Sequence, residues 1–186
     1  MKKKLILVGS PPACGKSYVS MELCKNLSNP VYLDKDTIIP LSKKVFEAAN
    51  EPINRSSAFF EKYVRDAEYV AIMDVAFESL RFNDHVIVNA PFSKEYRNKE
   101  YIGSLKEKLK DYDAELIPVW VSCDIEVCHE RMIKRNSERD TWKLEHWDEY
   151  IKGRDYSVPD LDGVYVIDNS STESFKKDLD GLLKVL

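Results

Sequence analysis

Residues 9–17 read GSPPACGKS and follow the pattern G-x-x-x-x-G-K-[ST], directly after the apolar run at residues 5–8. Glycines at both ends of such a loop let backbone N–H groups turn onto phosphate oxygens at the start of a helix, where the helix dipole also favours an anion. In this pattern Lys16 reaches the β- and γ-phosphates of a nucleotide, and Ser17 offers a hydroxyl ligand to Mg²⁺. The stretch therefore predicts a site for ATP and Mg²⁺. The residues expected to contact the nucleotide are Gly9, Pro12, Ala13, Cys14, Gly15, Lys16, Ser17 and Tyr18.

Two carboxylates, Asp34 and Asp36, follow a short apolar run at residues 31–33. In open α/β sheets, ligands bind at the carboxyl ends of the strands, and a carboxylate near the γ-phosphate can deprotonate an acceptor hydroxyl. We therefore interpret Asp36 as the candidate base and Asp34 as a residue of the metal shell or of the acceptor site. The alternative is that both carboxylates only cap the following turn. The apolar run at residues 85–89 ends in Asn89 instead of the acid found in many P-loop hydrolases, which argues against a dedicated ATPase.

Three arginines, Arg131, Arg135 and Arg139, recur at intervals of four residues. On one continuing helix they form a single cationic stripe. Guanidinium groups on a closing lid neutralise the charge of a phosphoryl group in transfer, and closure excludes water. A solvated charged helix face is the alternative interpretation.

Short apolar runs alternate with stretches of helical periodicity, which predicts a parallel sheet with helices on both faces. The segments between residues 38 and 82 are too long for a simple crossover and predict an inserted helical cap. Strands are expected at residues 5–8, 31–33, 85–89, 116–121 and 163–167, and helices at residues 18–29, 42–49, 57–82 and 96–110, after Asp124 and after Ser170.

Three local signals refine the expected boundaries. Pro118 has no backbone N–H, which predicts an edge position or the start of the fourth strand. Asp124 is a suitable N-cap for the helix that follows it. Ser170 and Glu173 have the spacing of a capping box that opens the last helix.

The bulk properties favour one cytoplasmic domain spanning residues 1–186. A net charge of -4 and a pI near 5.5 argue against tight, sequence-blind binding to long nucleic acid. The N-terminal apolar run is too short for a secretory signal, and we expect no membrane span. The four cysteines have no C-x-x-C spacing, which is typical of reduced thiols in a cytoplasmic protein.

The order and spacing of three motifs resemble the kinase domain of polynucleotide 5′-kinases. They also resemble the wider group of small P-loop kinases that includes chloramphenicol phosphotransferase and zeta-toxin-like enzymes. The resemblance spans most of the chain and implies a three-layer α/β/α P-loop NTPase fold with a five-stranded parallel sheet, a helical cap at about residues 38–82 and a lid at about residues 131–155. The motifs that carry it are residues 9–17, Asp34-Lys35-Asp36 and Lys134-Arg135-Asn136-Ser137-x-Arg139.

The same resemblance implies roles for individual residues. It implies a base at Asp36, lid arginines at Arg135, Arg131 and Arg139, and an adenine contact at Asn169, and it places the cap over the acceptor pocket. The expected function is transfer of the γ-phosphate of ATP to a hydroxyl group of a small molecule. An oligonucleotide 5′-hydroxyl acceptor and an ATP-binding switch or ATPase that transfers no phosphate to an acceptor are the alternatives. The cap residues implied as acceptor contacts are Arg55, Arg65 and Tyr69.

Three further residues keep two interpretations each. Trp142 and Trp147 in the lid either pack onto the core or stack on a base or an aromatic substrate. Asp74 interrupts the apolar stripe of its helix, and it is either buried against an arginine or exposed.

Overall fold

Five parallel strands form one sheet in the order β2-β3-β1-β4-β5 in the computed structural model, which describes residues 2–136 and 140–186. The strands are β1 Lys3–Gly9, β2 Val31–Asp34, β3 His85–Asn89, β4 Ala114–Ser122 and β5 Tyr165–Asp168. The helices are α1 Lys16–Asn26, α2 Ile39–Ala48, α3 Arg65–Leu80, α4 Lys99–Lys110, α5 Ile125–Arg135, α6 Thr141–Glu145, α7 Trp147–Lys152 and α8 Thr172–Leu183.

The sheet is covered on both faces, which confirms the predicted three-layer α/β/α arrangement. Leu5 and Leu7 of β1 pack with α3 and α4 on one face, and Ile6 and Val8 pack with α1 and α8 on the other. All four side chains are fully buried, which explains why this strand is a continuous apolar run without alternation. Because all five strands are parallel, their carboxyl ends lie at one edge of the sheet, and the glycine-flanked loop follows β1 at that edge.

The position of Pro118 differs from the prediction. Strand β4 lies between β1 and β5, so it is not an edge strand, and it begins at Ala114. Pairing with β5 starts only at Val119. Pro118 thus precedes the part of β4 that has neighbours on both sides, where a missing N–H is tolerated.

The predicted caps of α5 and α8 also change. Ser171, and not Ser170, caps α8 by accepting a hydrogen bond from the backbone N–H of Ser174 at 3.1 Å, and these two serines form the capping box. The Ser170 hydroxyl instead accepts a hydrogen bond from the backbone N–H of Asp124 at 2.9 Å. Asp124 occupies the N-cap position of α5, but its side chain makes no capping bond.

The cap region is less regular than its periodicity predicts. A π-helical turn at Phe60–Val64 precedes α3, so the expected helix at residues 57–82 is one α-helix preceded by a wider turn. Phe46 of α2 packs with Phe60 and Val64 in a cluster separate from the two sheet cores. Helix α2 and the π-helical turn are thus held by their own apolar contacts, whereas α3 packs on the sheet.

Helix α5 ends at Arg135, because Asn136 adopts a left-handed conformation with φ of 45°. A single helix that continues through Arg139 is therefore wrong, and Arg139 itself lies outside the described residues. In the following segment the ring of Trp147 stacks on His129 of α5 at 4.1 Å between centroids. Among the described residues, we find no helix with both the length and the apolar character needed to cross a membrane.

Candidate active site

The loop between β1 and α1 leaves little or no room for a side chain at either of its two glycines. Gly15 has a φ of 89°, and a Cβ atom there would lie 2.2 Å from the side-chain nitrogen of Asn169. A Cβ atom on Gly9 would lie 3.0 Å from the backbone oxygen of Pro91. Ala13 also has a positive φ, of 64°. The backbone therefore curls tightly at the N-terminus of α1, which is the geometry that binds an anion.

The underside of this loop is fixed by Asn169, which follows β5. The Asn169 side-chain amide donates a hydrogen bond to the Cys14 carbonyl at 2.8 Å. The Cys14 side chain is fully buried, with its sulfur 3.7 Å from the sulfur of Cys128. Cys14 therefore contributes backbone to the loop, while its thiol fills the space beneath it.

A compact polar cluster lies at the ends of β2 and β3. The side-chain nitrogen of Asn89 lies 3.0 Å from the Ser17 hydroxyl, 2.7 Å from a carboxylate oxygen of Asp34 and 3.0 Å from the Tyr32 hydroxyl. The amide oxygen of Asn89 is buried and has no hydrogen-bond partner among the described residues. Burial and the hydrogen bond with Asp34 raise the pKa of Tyr32, so its hydroxyl stays protonated.

The Ser17 hydroxyl and the Asp34 carboxylate of this cluster fit Mg²⁺, because both are hard oxygen ligands of the kind that this ion prefers. The part of the chain that the structure describes contains no group of three His, Cys, Asp or Glu residues that could hold a metal alone. Such a sparse protein shell is typical of Mg²⁺ sites completed by substrate phosphates and water.

The two carboxylates after β2 have different environments. Asp34 accepts a hydrogen bond from the backbone N–H of Asp36 at 2.9 Å, so its side chain does cap the turn at Lys35–Ile38. The Asp36 side chain is exposed and lines the same cavity as Lys16 and Ser17. Of these two carboxylates Asp36 is the one that lines the cavity, as the proposed base must.

The cavity above the loop has a volume of about 690 Å³ and a strongly positive lining. Among the described residues, seven cationic side chains and two acidic ones line it. Such an excess concentrates anionic ligands. The cations are Lys16, Lys94, Arg97, Arg131, Arg135, Lys143 and Arg154, and the acids are Asp36 and Asp155.

Both described lid arginines are held by other groups. Arg131 donates to the backbone oxygen of Asn169 at 2.8 Å. Arg135 pairs with Asp140, a fully buried carboxylate that also accepts a hydrogen bond from Lys143 at 2.8 Å. Burial alone would raise the pKa of Asp140, but the hydrogen bonds from Lys143 and Arg135 outweigh it and lower the pKa. Asp140 therefore stays ionised, and it holds the side chains of Arg135 and Lys143 beside the cavity.

A second cleft, of about 510 Å³, opens on the other side of the loop beside Gly15. Arg131, Asn169 and Tyr18 line it, and the ring of Tyr18 lies 5.0 Å from the ring of Phe175. A guanidinium plane and an aromatic ring at the border of a cleft of this size can receive a flat heterocycle.

Arg55 of the cap is engaged by a buried carboxylate. Glu68 of α3, whose side chain is only 2% exposed, accepts hydrogen bonds from Arg55 at 2.7 Å, from Lys35 at 2.6 Å and from Ser42 at 2.5 Å. Burial raises the pKa of Glu68, but these hydrogen bonds outweigh it and lower the pKa to about 2. Because Lys35 directly precedes Asp36, Glu68 anchors the turn that carries the candidate base.

Arg65 and Tyr69 do not line the cavity above the loop. Arg65 donates to Glu95 at 2.7 Å and lies over the ring of Tyr69 at 4.6 Å, and both residues line a separate groove between α3 and α4. The π-helical turn before α3 adds an extra residue to the turn, which rotates the faces that follow it. Arg65 and Tyr69 thus lie apart from the cavity that Asp36 lines, and their contact with an acceptor stays a prediction. Asp74 is exposed and lines the same groove.

Of the two tryptophans that follow α5, Trp147 packs on another helix, whereas Trp142 is half-exposed and contacts only its own segment. Trp142 is 53% exposed and stacks on His146 at 5.0 Å, and Trp147 stacks on α5 as described above. Neither lines the cavity above the loop among the residues described there.

Five charged lining residues belong to no motif and were missed by sequence reasoning. Two of them, Lys94 and Arg97, follow β3 at the carboxyl edge of the sheet, where position alone indicates proximity to a ligand. The remaining three come from the lid. The full set is Lys94, Arg97, Lys143, Arg154 and Asp155.

Residues 5–155 match an AAA domain family, AAA_33. The fold is similar to a candidate kinase from Chloroflexus aurantiacus, with 18% identity, coverage of 100% of this chain and 97% of that chain, and a TM-score of 0.64. It is also similar to a gluconokinase from Sinorhizobium meliloti 1021, with 17% identity, 99% and 93% coverage and a TM-score of 0.56. The APS kinase CysC of Mycobacterium tuberculosis, solved with AMPPNP and APS, has 16% identity, 100% and 98% coverage and a TM-score of 0.54.

These identities establish a shared fold and nothing finer. They support the resemblance to P-loop kinases at that level, whereas the narrower group of polynucleotide 5′-kinases and chloramphenicol phosphotransferases stays a prediction. No curated protein sequence matches this chain.

Proposed function

The chain belongs to the AAA domain family AAA_33, and from that premise we propose that it is an ATP-dependent kinase that phosphorylates a hydroxyl group of a small molecule. One observation carries the proposal: the phosphate-binding loop, the Asp36 carboxylate and the lid arginines Arg131 and Arg135 line a single cavity. A base and cationic groups around a phosphate site are what phosphoryl transfer requires. The solved neighbours that are kinases of small molecules support the same reading.

Different groups of the loop and its surroundings bind the phosphates, the base and the metal ion of the nucleotide. Backbone N–H groups at the start of α1 and the Lys16 ammonium bind the phosphates, and the cleft between Arg131 and Asn169 receives the base. The Ser17 hydroxyl and the Asp34 carboxylate are the groups that would hold Mg²⁺. When bound, Mg²⁺ and ATP supply charge neutralisation and the phosphoryl group that is transferred.

The acceptor side depends on Asp36 and the lid. Asp36 accepts the proton of the acceptor hydroxyl, which makes the oxygen a better nucleophile. Arg135, fixed by Asp140, places positive charge at the oxygens of the transferring group. Glu68 keeps the turn of Asp36 in place through Lys35, so the carboxylate does not have to be ordered when the acceptor arrives.

The excess of positive charge favours an acceptor that carries its own anionic group. The same feature supports a second candidate, a kinase for the 5′-hydroxyl of an oligonucleotide, whose backbone phosphates would contact Lys94, Arg97 and Arg154. Transfer to a short 5′-hydroxyl oligonucleotide at several salt concentrations separates the two candidates. Activity on the oligonucleotide that falls steeply with salt favours the second, and activity on small hydroxyl compounds alone favours the first.

Substitution of Asp36 by Asn tests the base. We expect ATP affinity, measured by calorimetry, to stay within about threefold and turnover to fall by about 10²- to 10⁴-fold, because only proton transfer is removed. The matched control is Asp180→Asn, an exposed acid on α8 that does not line the cavity above the loop. Full turnover of Asp36→Asn would show that Asp36 is not the base. A wild-type protein that binds ATP but phosphorylates no hydroxyl compound would instead favour the switch.

A further inference from the structure

The groove between α3 and α4 is a separate cavity of about 660 Å³, and among the described residues it shares only Lys94 with the cavity above the loop. Its volume lies in the range of sites for small molecules. The floor and walls are mostly apolar or aromatic, with Tyr69, Met73 and Phe77 from α3 and Leu105 from α4. Nothing in the proposed kinase reaction uses this groove.

One carboxylate in the groove lacks a donor although it is buried. The Glu95 side chain is 8% exposed, and one of its oxygens accepts a hydrogen bond from Arg65. Its second oxygen, Oε2, is buried without a hydrogen-bond partner among the described residues. Buried polar atoms in folded proteins nearly always have a partner, so this oxygen indicates a donor that the groove receives from outside.

A second carboxylate on the groove is also uncompensated. Asp74 lies on the exposed side of α3 and lines the groove. Within residues 2–136 and 140–186 we find no ion pair or hydrogen bond for its side chain.

The basic residues of the groove are already engaged. Lys94 pairs with Glu61 at 2.5 Å, and Lys108 lies over the ring of Phe77 at 3.9 Å. Arg65 is shared between Glu95 and Asp66. Four acids and three bases line the groove, so the charge left over is negative.

From these observations we propose that the groove binds an organic cation with an apolar body, such as a primary amine that carries a hydrophobic or aromatic chain. The ammonium group donates a hydrogen bond to Glu95 and is attracted by Asp74, and the body packs against Met73, Phe77 and Leu105. The proposal does not depend on the kinase assignment.

Three probes with one body and different head groups test it: phenylbutylamine, phenylbutanol and phenylbutyrate. Binding to the full chain is measured by calorimetry and by chemical-shift changes of α3 and α4 amides, so the readout is independent of phosphoryl transfer. We expect the amine to bind about tenfold more tightly than the alcohol, and the carboxylate to bind most weakly.

Matched variants locate the binding. Asp74→Asn and Glu95→Gln are expected to weaken the amine several-fold without changing the alcohol, whereas Glu78→Gln, an exposed acid of α3 outside the groove, leaves both unchanged. Ser104→Trp fills the groove from an exposed position of α4 and is expected to abolish binding of the amine and the alcohol.

Two results would overturn the proposal. One is an amine that does not bind wild type, or binds no better than the carboxylate. The other is amine binding that survives both Asp74→Asn and Ser104→Trp. Because these two positions are exposed, the test stands even where the buried Glu95 variant fails to fold.

Discussion

Replacing Glu68 by Gln removes the charge from the carboxylate that joins the cap to the turn of Asp36. Gln keeps the size of the side chain, but it leaves Lys35 and Arg55 without their counter-charge in a site that is almost closed to water. We therefore expect a large loss in the free energy of unfolding, and a loss that depends on pH.

The magnitude follows from the pKa. Glu68 has a pKa of about 2 in the folded protein against 4.5 as its ordinary value. At neutral pH this gap corresponds to about 3 kcal/mol of stability, and because the side chain is buried no large reduction for solvent screening applies. A carboxylate with a lowered pKa stabilises the fold fully above its ordinary pKa and loses that contribution as the pH falls towards the folded value. The difference between wild type and Glu68→Gln is thus expected to shrink by about 1.4 kcal/mol per pH unit below pH 4.5.

Equilibrium unfolding in urea at neutral pH and at two acidic values measures this difference. Glu78→Gln, on the exposed side of the same helix, is the control and is expected to change stability by less than about 0.5 kcal/mol. A difference for Glu68→Gln below about 1 kcal/mol at neutral pH, or one that stays constant down to about pH 3, would refute the reasoning.

Three other substitutions test the site. Gly15→Ala places a Cβ atom against Asn169 and is expected to weaken ATP binding by more than about tenfold in calorimetry, with little change in secondary structure. Asn89→Asp puts a second carboxylate beside Asp34, so the melting temperature is expected to fall in EDTA and to recover with Mg²⁺; a fall that Mg²⁺ does not reverse would contradict the metal assignment. Arg97→Gln loses bonds to the chain that follows the lid and is expected to increase hydrogen exchange there, while exchange in β1 stays unchanged.

The sheet and the phosphate-binding loop were predictable because their signals are local. An apolar run between turn residues predicted β3 at residues 85–89, and the structure has His85–Asn89. Asp36 reaches the cavity for a topological reason, since the carboxyl ends of parallel strands share one edge. Asn136 was a missed local signal, because asparagine is a common left-handed terminator of helices and it ends α5 before Arg139.

The cap was not predictable in the same way. Helical periodicity shows which residues share a face, but it does not show which partner that face meets. Arg65 pairs with Glu95, which is distant in sequence, and Arg55 pairs with Glu68 across the π-helical turn. The sequence carries no sign of that wider turn, nor of the groove apart from the Asp36 cavity on which Arg65 and Tyr69 lie.

Strand β1 precedes the other four strands in the sequence but lies at the centre of the sheet. Its two neighbours are β3 and β4, which begin only at His85 and Ala114 and therefore leave the ribosome much later than β1. At about 5–20 residues per second, the nascent strand and its loop wait several seconds without partners. Pairings between such distant segments are slow to form, so a chaperone that shields the first apolar run during this delay would raise the yield of folded protein.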